Sequence, residues 1–188
     1  ISEDVTIQGG SRPLTLIYIF IMKKFLTIIL IICAAAGCIK EYPAGSDIKI
    51  GDSLPVFEVM MNDGSSVSDV SLRGDVSIVM FFHTSCPDCQ QVLPVMQRIY
   101  DEYTREGLKT ALISREENSE DISAYWSENG LNMPYSAQKD RKIYELFAAS
   151  LIPRVYISDE NGTVRYIFTD DPVPSYNDLK SALESLIR

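Results

Sequence analysis

Histidine and tryptophan each occur once in this 188-residue chain, and cysteine only four times. A structural zinc site draws on four Cys or His ligands. Here no second C-x-x-C accompanies Cys86 and Cys89, and the one histidine, His83, cannot complete a set. No metal is expected, and His83 reads as a packing or hydrogen-bonding residue at a strand end. Positive charge is also scarce. Lys and Arg total 17 against 26 Asp and Glu, a net charge of −9, with no basic stripe. A nucleic-acid partner is therefore not expected. Internal repeats and low-complexity segments are absent as well. With 46% hydrophobic and 23% charged residues, the composition is that of a globular chain.

Long apolar runs are limited to the amino-terminal end. Met22 to Cys38, "MKKFLTIILIICAAAGC", holds two lysines, an apolar stretch from Phe25 to Ala36 and a small-residue site. That is the layout of a secretory signal, and the apolar stretch is short for a membrane span. An anchor running from Leu14 to Ile32 would be interrupted by Lys23 and Lys24. Ala35-Ala36-Gly37-Cys38 resembles the bacterial lipobox, which implies cleavage before Cys38 and lipid attachment to it. The alternatives are an ordinary signal with a chance cysteine, or an uncleaved anchor. Residues 1–21 then precede a complete signal and read as an over-extended frame. Residues 22–37 are the signal, residues 38–47 a polar tether with Pro and Gly, and residues 48–188 a single α/β domain. Cys33 leaves with the signal, so Cys86 and Cys89 are the two thiols left to the exported domain. An oxidising compartment outside the cytoplasm permits them to form a disulfide.

The domain begins with a strand in "PVFEVMM", a turn at Asp63-Gly64 and a short second strand. Asp75 to Phe82 is β-branched and aromatic, as a buried central strand should be. Pro87 to about Glu106 predicts a helix with Val92, Val95, Met96 and Ile99 on its apolar face. Pro94 should kink it and Gly107 stop it. Leu108 to Ser114 is the next strand. Ser119 leads a helix that closes at Gly130, in which Tyr125 and Trp126 are packing residues. Asp140 to Ser150 predicts a further helix, "RVYISDENGTVRYIF" a hairpin around Asn161-Gly162, and "YNDLKSALESLI" a terminal helix carrying Leu179, Leu183 and Leu186. The early alternation argues for parallel strands with right-handed crossovers, and the late hairpin adds an antiparallel portion.

Cys86 and Cys89 fall between the central strand and the helix, in "FFHTSCPDCQQVLP". A purely structural disulfide is poorly motivated, because closing so short a loop removes little chain entropy. Position favours redox chemistry. Free N–H groups and the helix dipole stabilise a thiolate at Cys86, while Cys89 lies within the first turn, near enough to resolve a mixed disulfide. Cys86 is then the attacking thiol and Cys89 the resolving one. Asp88 suits a helix start on dipole grounds alone. Its charge also opposes a Cys86 thiolate, which makes the pair reducing rather than strongly oxidising.

At these residues the chain resembles the thioredoxin superfamily, most closely its TlpA/ResA-like branch of membrane-tethered thiol–disulfide oxidoreductases. "GDSLPVFEV", the Asp63-Gly64 turn and "LRGDVSIVMFF" look like the branch's amino-terminal hairpin and first core strand. "TSCPDC" looks like its active site with Pro87 and Asp88 inside, and Pro94 matches the proline that follows. "LIPRVYISDENGTV" looks like its cis-proline loop and hairpin. The resemblance implies a three-layer α/β/α fold with a central mixed sheet and an extra amino-terminal hairpin. It implies that Pro153 is cis and faces the cysteines, and that the Ile152 backbone pairs with an extended substrate segment. No cofactor beyond the Cys86–Cys89 disulfide is implied. Partners would be exported proteins with disulfides, a membrane or periplasmic electron donor, and the membrane itself through Cys38.

The chain departs from the pattern at three places. Ser85 stands where the family has tryptophan, Val92 where the branch often has glutamate, and Met80 where thioredoxin has a buried acid. The usual proton acceptors for the resolving thiol are therefore missing, and His83, Asp88 or water remain as substitutes. Two other functions compete. A peroxiredoxin shares the fold but needs Thr or Ser three residues before its reactive cysteine, where His83 precedes Cys86 and Cys86 precedes Cys89. A non-catalytic copper or haem chaperone is disfavoured in its copper form by the lack of a second histidine or a methionine-rich loop.

Overall fold

The computed structural model describes residues 47–187. The expected leader extension, the signal, the lipid site Cys38 and nearly all of the tether lie outside the described residues. Among the described residues no helix is long and apolar enough to cross a membrane.

Glu58–Met60 (β1) and Ser66–Ser68 (β2) pair antiparallel around the Asp63-Gly64 turn. Gly64 has φ +86°, a conformation that favours glycine, and Asp63 Oδ1 accepts the Ser65 N–H at 2.9 Å. A single helical turn, Asp69–Leu72 (α1), follows, closed by a reciprocal Ser68/Ser71 capping box. Sequence periodicity gives no sign of it, because four residues are too few to show a helical period.

Ser77–Phe82 (β3) is buried at all six positions. Pro87–Tyr103 (α2) leaves its carboxyl end. Its buried residues, Cys89, Val92, Leu93, Met96, Ile99 and Tyr103, recur at three- and four-residue steps. Val95, expected on that face, is half-buried. The helix carries Pro94 inside it and gives way to a 3-10 turn, Thr104–Glu106, rather than continuing unbroken. Gly107 (φ +96°) then ends it in the left-handed conformation.

Lys109–Ser114 (β4) runs parallel to β3 with Phe82 opposite Ser114. Ser119–Glu128 (α3) is capped by Asn118, whose side chain accepts the Asp121 N–H at 2.9 Å. The expected leading residue, Ser119, is thus the first helical residue instead. Tyr135–Ser136 (β5) adds a two-residue parallel edge beside β4. The helix expected over Asp140 to Ser150 is only one turn, Lys142–Glu145 (α4). Beyond it the chain must reverse: Leu151 adopts φ +74° and the Ile152–Pro153 bond is cis. Arg154–Ser158 (β6) and Val164–Phe168 (β7) form the late hairpin, and Tyr176–Glu184 (α5) closes the chain.

The sheet order is β5-β4-β3-β6-β7, with β3, β4 and β5 parallel and β6 and β7 antiparallel. This is the mixed sheet with an added amino-terminal hairpin that the resemblance implies. Neighbouring residues of β3 serve opposite faces. Phe81 meets Tyr144, Phe147 and Tyr156 edge-on at 4.9–6.3 Å, and Phe57 joins this cluster through Phe147. Phe82 packs on Trp126 at 5.2 Å, and Trp126 Nε1 donates to Met133 O at 2.9 Å. Tyr125 and Trp126 therefore act as packing residues. The consequence for function is that the carboxyl ends of β3 and β4, with α2 leaving one of them, are held in register by a rigid core.

Candidate active site

Cys86 occupies the cap position of α2, with extended φ/ψ of −81°/120°, and Pro87 is the first helical residue. Proline fits there because that N–H has no intrahelical partner and the ring presets φ. The Cys86 N–H donates to His83 O and its carbonyl accepts the Gln90 N–H, both at 3.0 Å. The tight turn from His83 to Cys86 therefore sets the sulfur at the helix's positive end. Cys86 is half-buried, and its Sγ lies 3.6 Å from Ile152 O, at the cis Ile152–Pro153 bond.

Cys89, one turn further in, is wholly buried. Both cysteines are free thiols. Burial pushes the Cys89 thiol far above its ordinary pKa, and the neighbouring Cys86 adds to this. The His83 main-chain N–H and the positive charge of Arg115 pull the other way.

The other expected residues gather at the same place. His83 turns Nδ1 toward Ser85, accepting its N–H at 3.2 Å with the Ser85 hydroxyl at 3.0 Å, and lies 3.6 Å from Glu117. Asp88 is half-exposed and accepts from Gln91 Nε2 at 3.2 Å. Ile152 is buried, and its carbonyl serves the Cys86 thiol. Met80 and Val92 are fully buried apolar residues, so neither supplies a carboxylate. Among the described residues no group of three or more His, Cys, Asp or Glu is arranged to hold a metal.

Four residues of the site escape sequence reasoning. Glu117 is 4% exposed and accepts the Thr84 N–H at 3.0 Å and the Thr84 hydroxyl. Gln90 Nε2 donates to Thr84 O at 2.8 Å. Together they hold the turn that presents Cys86. Arg154, at the start of β6, is 6% exposed and donates to Ser150 O and Asp47, which fixes the approach to Pro153. Arg115 follows β4 directly. The available signal was positional: ligands and reacting groups collect beyond the carboxyl ends of parallel strands, and "REEN" follows one. Glu117→Ala is expected to lower stability by about 2–4 kcal/mol, since two buried donors lose their acceptor. Glu117→Gln, which keeps an acceptor oxygen, is expected to lose less than half as much. Urea unfolding of the two variants checks this ordering.

Comparison with known proteins places these features in a family. The AhpC/TSA family model matches residues 50–167. The chain is 25% identical over 151 residues to thiol-disulfide oxidoreductase ResA of Bacillus thuringiensis, covering 76% of this chain and 87% of that protein. Among solved structures, a thiol:disulfide interchange protein of the thioredoxin family from Chlorobium tepidum superimposes with a TM-score of 0.64. It is 22% identical and covers 76% of this chain and all of that one. The thioredoxin domain of a thiol-disulfide oxidoreductase from Bacteroides vulgatus gives 0.66 at 19% identity, again over 76% and all of the respective chains. The fold is thioredoxin-like.

Proposed function

The chain belongs to the AhpC/TSA family, and from that premise we propose that Cys86 and Cys89 are the dithiol through which this thiol–disulfide oxidoreductase reduces or isomerises disulfides of exported proteins. The observation that carries the assignment is the asymmetry of the two sulfurs. Cys86 is half-buried at a helix start beside Ile152 O, while Cys89 is wholly buried one turn inside. A client disulfide therefore reaches Cys86 first. The Cys86 thiolate attacks one client sulfur, and the other leaves as a thiolate. Cys89 then loses its proton and attacks the Cys86 sulfur. The Cys86–client bond breaks, and the client departs reduced by two electrons. The Ile152 carbonyl, which faces Cys86 beside the cis bond, is placed to accept an N–H from an extended client segment. Pro87 fixes the helix start, and His83 contributes its main-chain N–H to the resolving thiol.

The domain works outside the cytoplasm, held to the membrane by lipid on Cys38, and draws electrons from a membrane or periplasmic donor. It needs no cofactor other than the Cys86–Cys89 disulfide. Asp88, two residues after Cys86 in the sequence, keeps the couple reducing. A measured potential well below that of a strong oxidant, about −120 mV, is expected. A value near that figure would reverse the direction of flux.

The family description favours one other reading, a peroxidase. Thr84 and Ser85, however, lie two and one residues before Cys86, and the third place back is His83. The purified domain is expected to accelerate insulin reduction by dithiothreitol and to consume hydrogen peroxide no faster than its Cys86→Ser variant. Peroxide turnover without insulin reduction would favour the peroxidase. Neither activity would favour a non-catalytic binding module.

A further inference from the structure

The segment that leads to Ile152 is held by side chains rather than by a sheet. Ala149 O accepts from Arg141 at 3.1 Å, Ser150 O from Arg154 at 2.9 Å, and Leu151 O from the Tyr144 hydroxyl at 2.7 Å. The last of these bonds sets the peptide group that enters Ile152. The Leu151–Ile152 bond is trans, so its C=O and N–H point in opposite directions. Tyr144 is fully buried, and a carbonyl drawn to its hydroxyl turns the Ile152 N–H away from that ring. The Ile152 N–H has no hydrogen-bond partner among the described residues. Ile152 O, in the same residue, lies 3.6 Å from Cys86 Sγ. Ile152 is only 8% exposed, and an unpaired N–H in so covered a residue is unfavourable unless a ligand completes it.

Leu151 adopts φ +74°, a left-handed conformation that leucine rarely takes, and its side chain is half-exposed. Tyr144 holds its carbonyl there and is itself fixed. The Tyr144 ring meets Phe81 edge-on at 5.4 Å and lies 5.2 Å from the Arg141 guanidinium and 5.5 Å from that of Arg115. Burial raises the phenol's pKa, so the hydroxyl keeps its proton and remains a donor wherever thiols exchange. Resting on the dithiol reading above, we propose that Tyr144 is a positioning residue for client capture. Its hydroxyl fixes the Leu151–Ile152 peptide plane, so that Ile152 presents an N–H donor as well as its carbonyl. An extended client segment takes up both, as a residue of a neighbouring antiparallel strand would. The clients that gain from Tyr144 are therefore disulfides flanked by peptide main chain. Small disulfides without amide groups gain nothing from it.

Tyr144→Phe keeps the ring and removes the donor. It tests the proposal with two probes, a disulfide-linked peptide and 5,5′-dithiobis(2-nitrobenzoate), which carries no amide group. For the peptide, KM is expected to rise about tenfold while kcat stays within about twofold, the pattern of lost binding rather than lost chemistry. The ratio of the peptide rate to the dithiobis(nitrobenzoate) rate, each at low substrate, is expected to fall about tenfold. A merely structural role for the hydroxyl would lower the unfolding temperature and leave that ratio unchanged. Hydrogen exchange at the Ile152 amide gives a second measurement. In the Cys89→Ser protein joined to the peptide through Cys86, that amide is expected to exchange about tenfold more slowly than in the unreacted protein. Most of this protection is expected to disappear when Tyr144→Phe is added. An unchanged KM and rate ratio in Tyr144→Phe, or an Ile152 amide that exchanges equally fast with and without the peptide, would overturn the proposal. A wild type that reacts with neither probe would instead bring down the dithiol reading.

Discussion

Cys89→Ser is expected to accumulate exported proteins as mixed disulfides on Cys86, and Cys86→Ser is expected to accumulate none. Both variants are expected to lose insulin reduction down to the uncatalysed rate. The difference follows from access. Cys86 is half-buried at the start of α2 with its sulfur beside Ile152 O, whereas no surface of Cys89 is open to a client. Removing the resolving thiol leaves the first covalent bond in place with nothing internal to break it. Removing the attacking thiol prevents that bond from forming. Non-reducing electrophoresis of envelope fractions, with the trapped cysteine identified by peptide mass, reads the outcome. Trapping on Cys89 in the Cys86→Ser variant would mean that the two roles are exchanged.

The largest stability effect is expected at Phe81. Its ring is fully buried in the middle of β3 and meets Tyr144, Phe147 and Tyr156 edge-on. Phe81→Ala removes that ring from a rigid cluster that closes poorly over the space, at a cost of about 3–5 kcal/mol. For a domain of this size that corresponds to a fall of roughly 10–20 °C in Tm. Since Tyr144 and Phe147 also lead into the Leu151–Pro153 turn, insulin reduction by the folded variant is expected to fall as well. Calorimetry on the reduced protein gives the first number. A loss under about 1 kcal/mol would mean that the aromatic cluster is not the structural support of the loop.

What the sequence disclosed and what it hid divide along a physical line. Cys86, Cys89 and Pro87 were legible because their arrangement is local: an apolar strand, a short turn and a helix start within fourteen residues. The late hairpin was legible for the same reason, since Asp159, Asn161 and Gly162 carry their own turn chemistry, with Gly162 at φ +77°. The short elements α1 and β5 were not, because two to four residues show no period. Glu117 and Arg115 were hidden for a different reason. In the sequence they belong to the polar run "REEN", which resembles any solvated loop. Only the β3–β4 register, with Phe82 opposite Ser114, brings that run beside His83 and Thr84. Side chains whose partners are thirty residues away become meaningful once the strands are aligned. Asp140 to Ser150 shows the converse. Its apolar spacing suits a helix, but the reversal at Leu151 leaves only one turn of it.

The most direct test of the account is a thiol count on the wild-type domain (residues 48–188) before and after reaction with one equivalent of a disulfide-bonded protein, followed by peptide mapping. The account predicts the loss of two thiols, the appearance of an intramolecular Cys86–Cys89 disulfide, and the release of one equivalent of reduced client. Retention of both thiols, or an oxidised product in which Cys86 and Cys89 are not joined to each other, would contradict it.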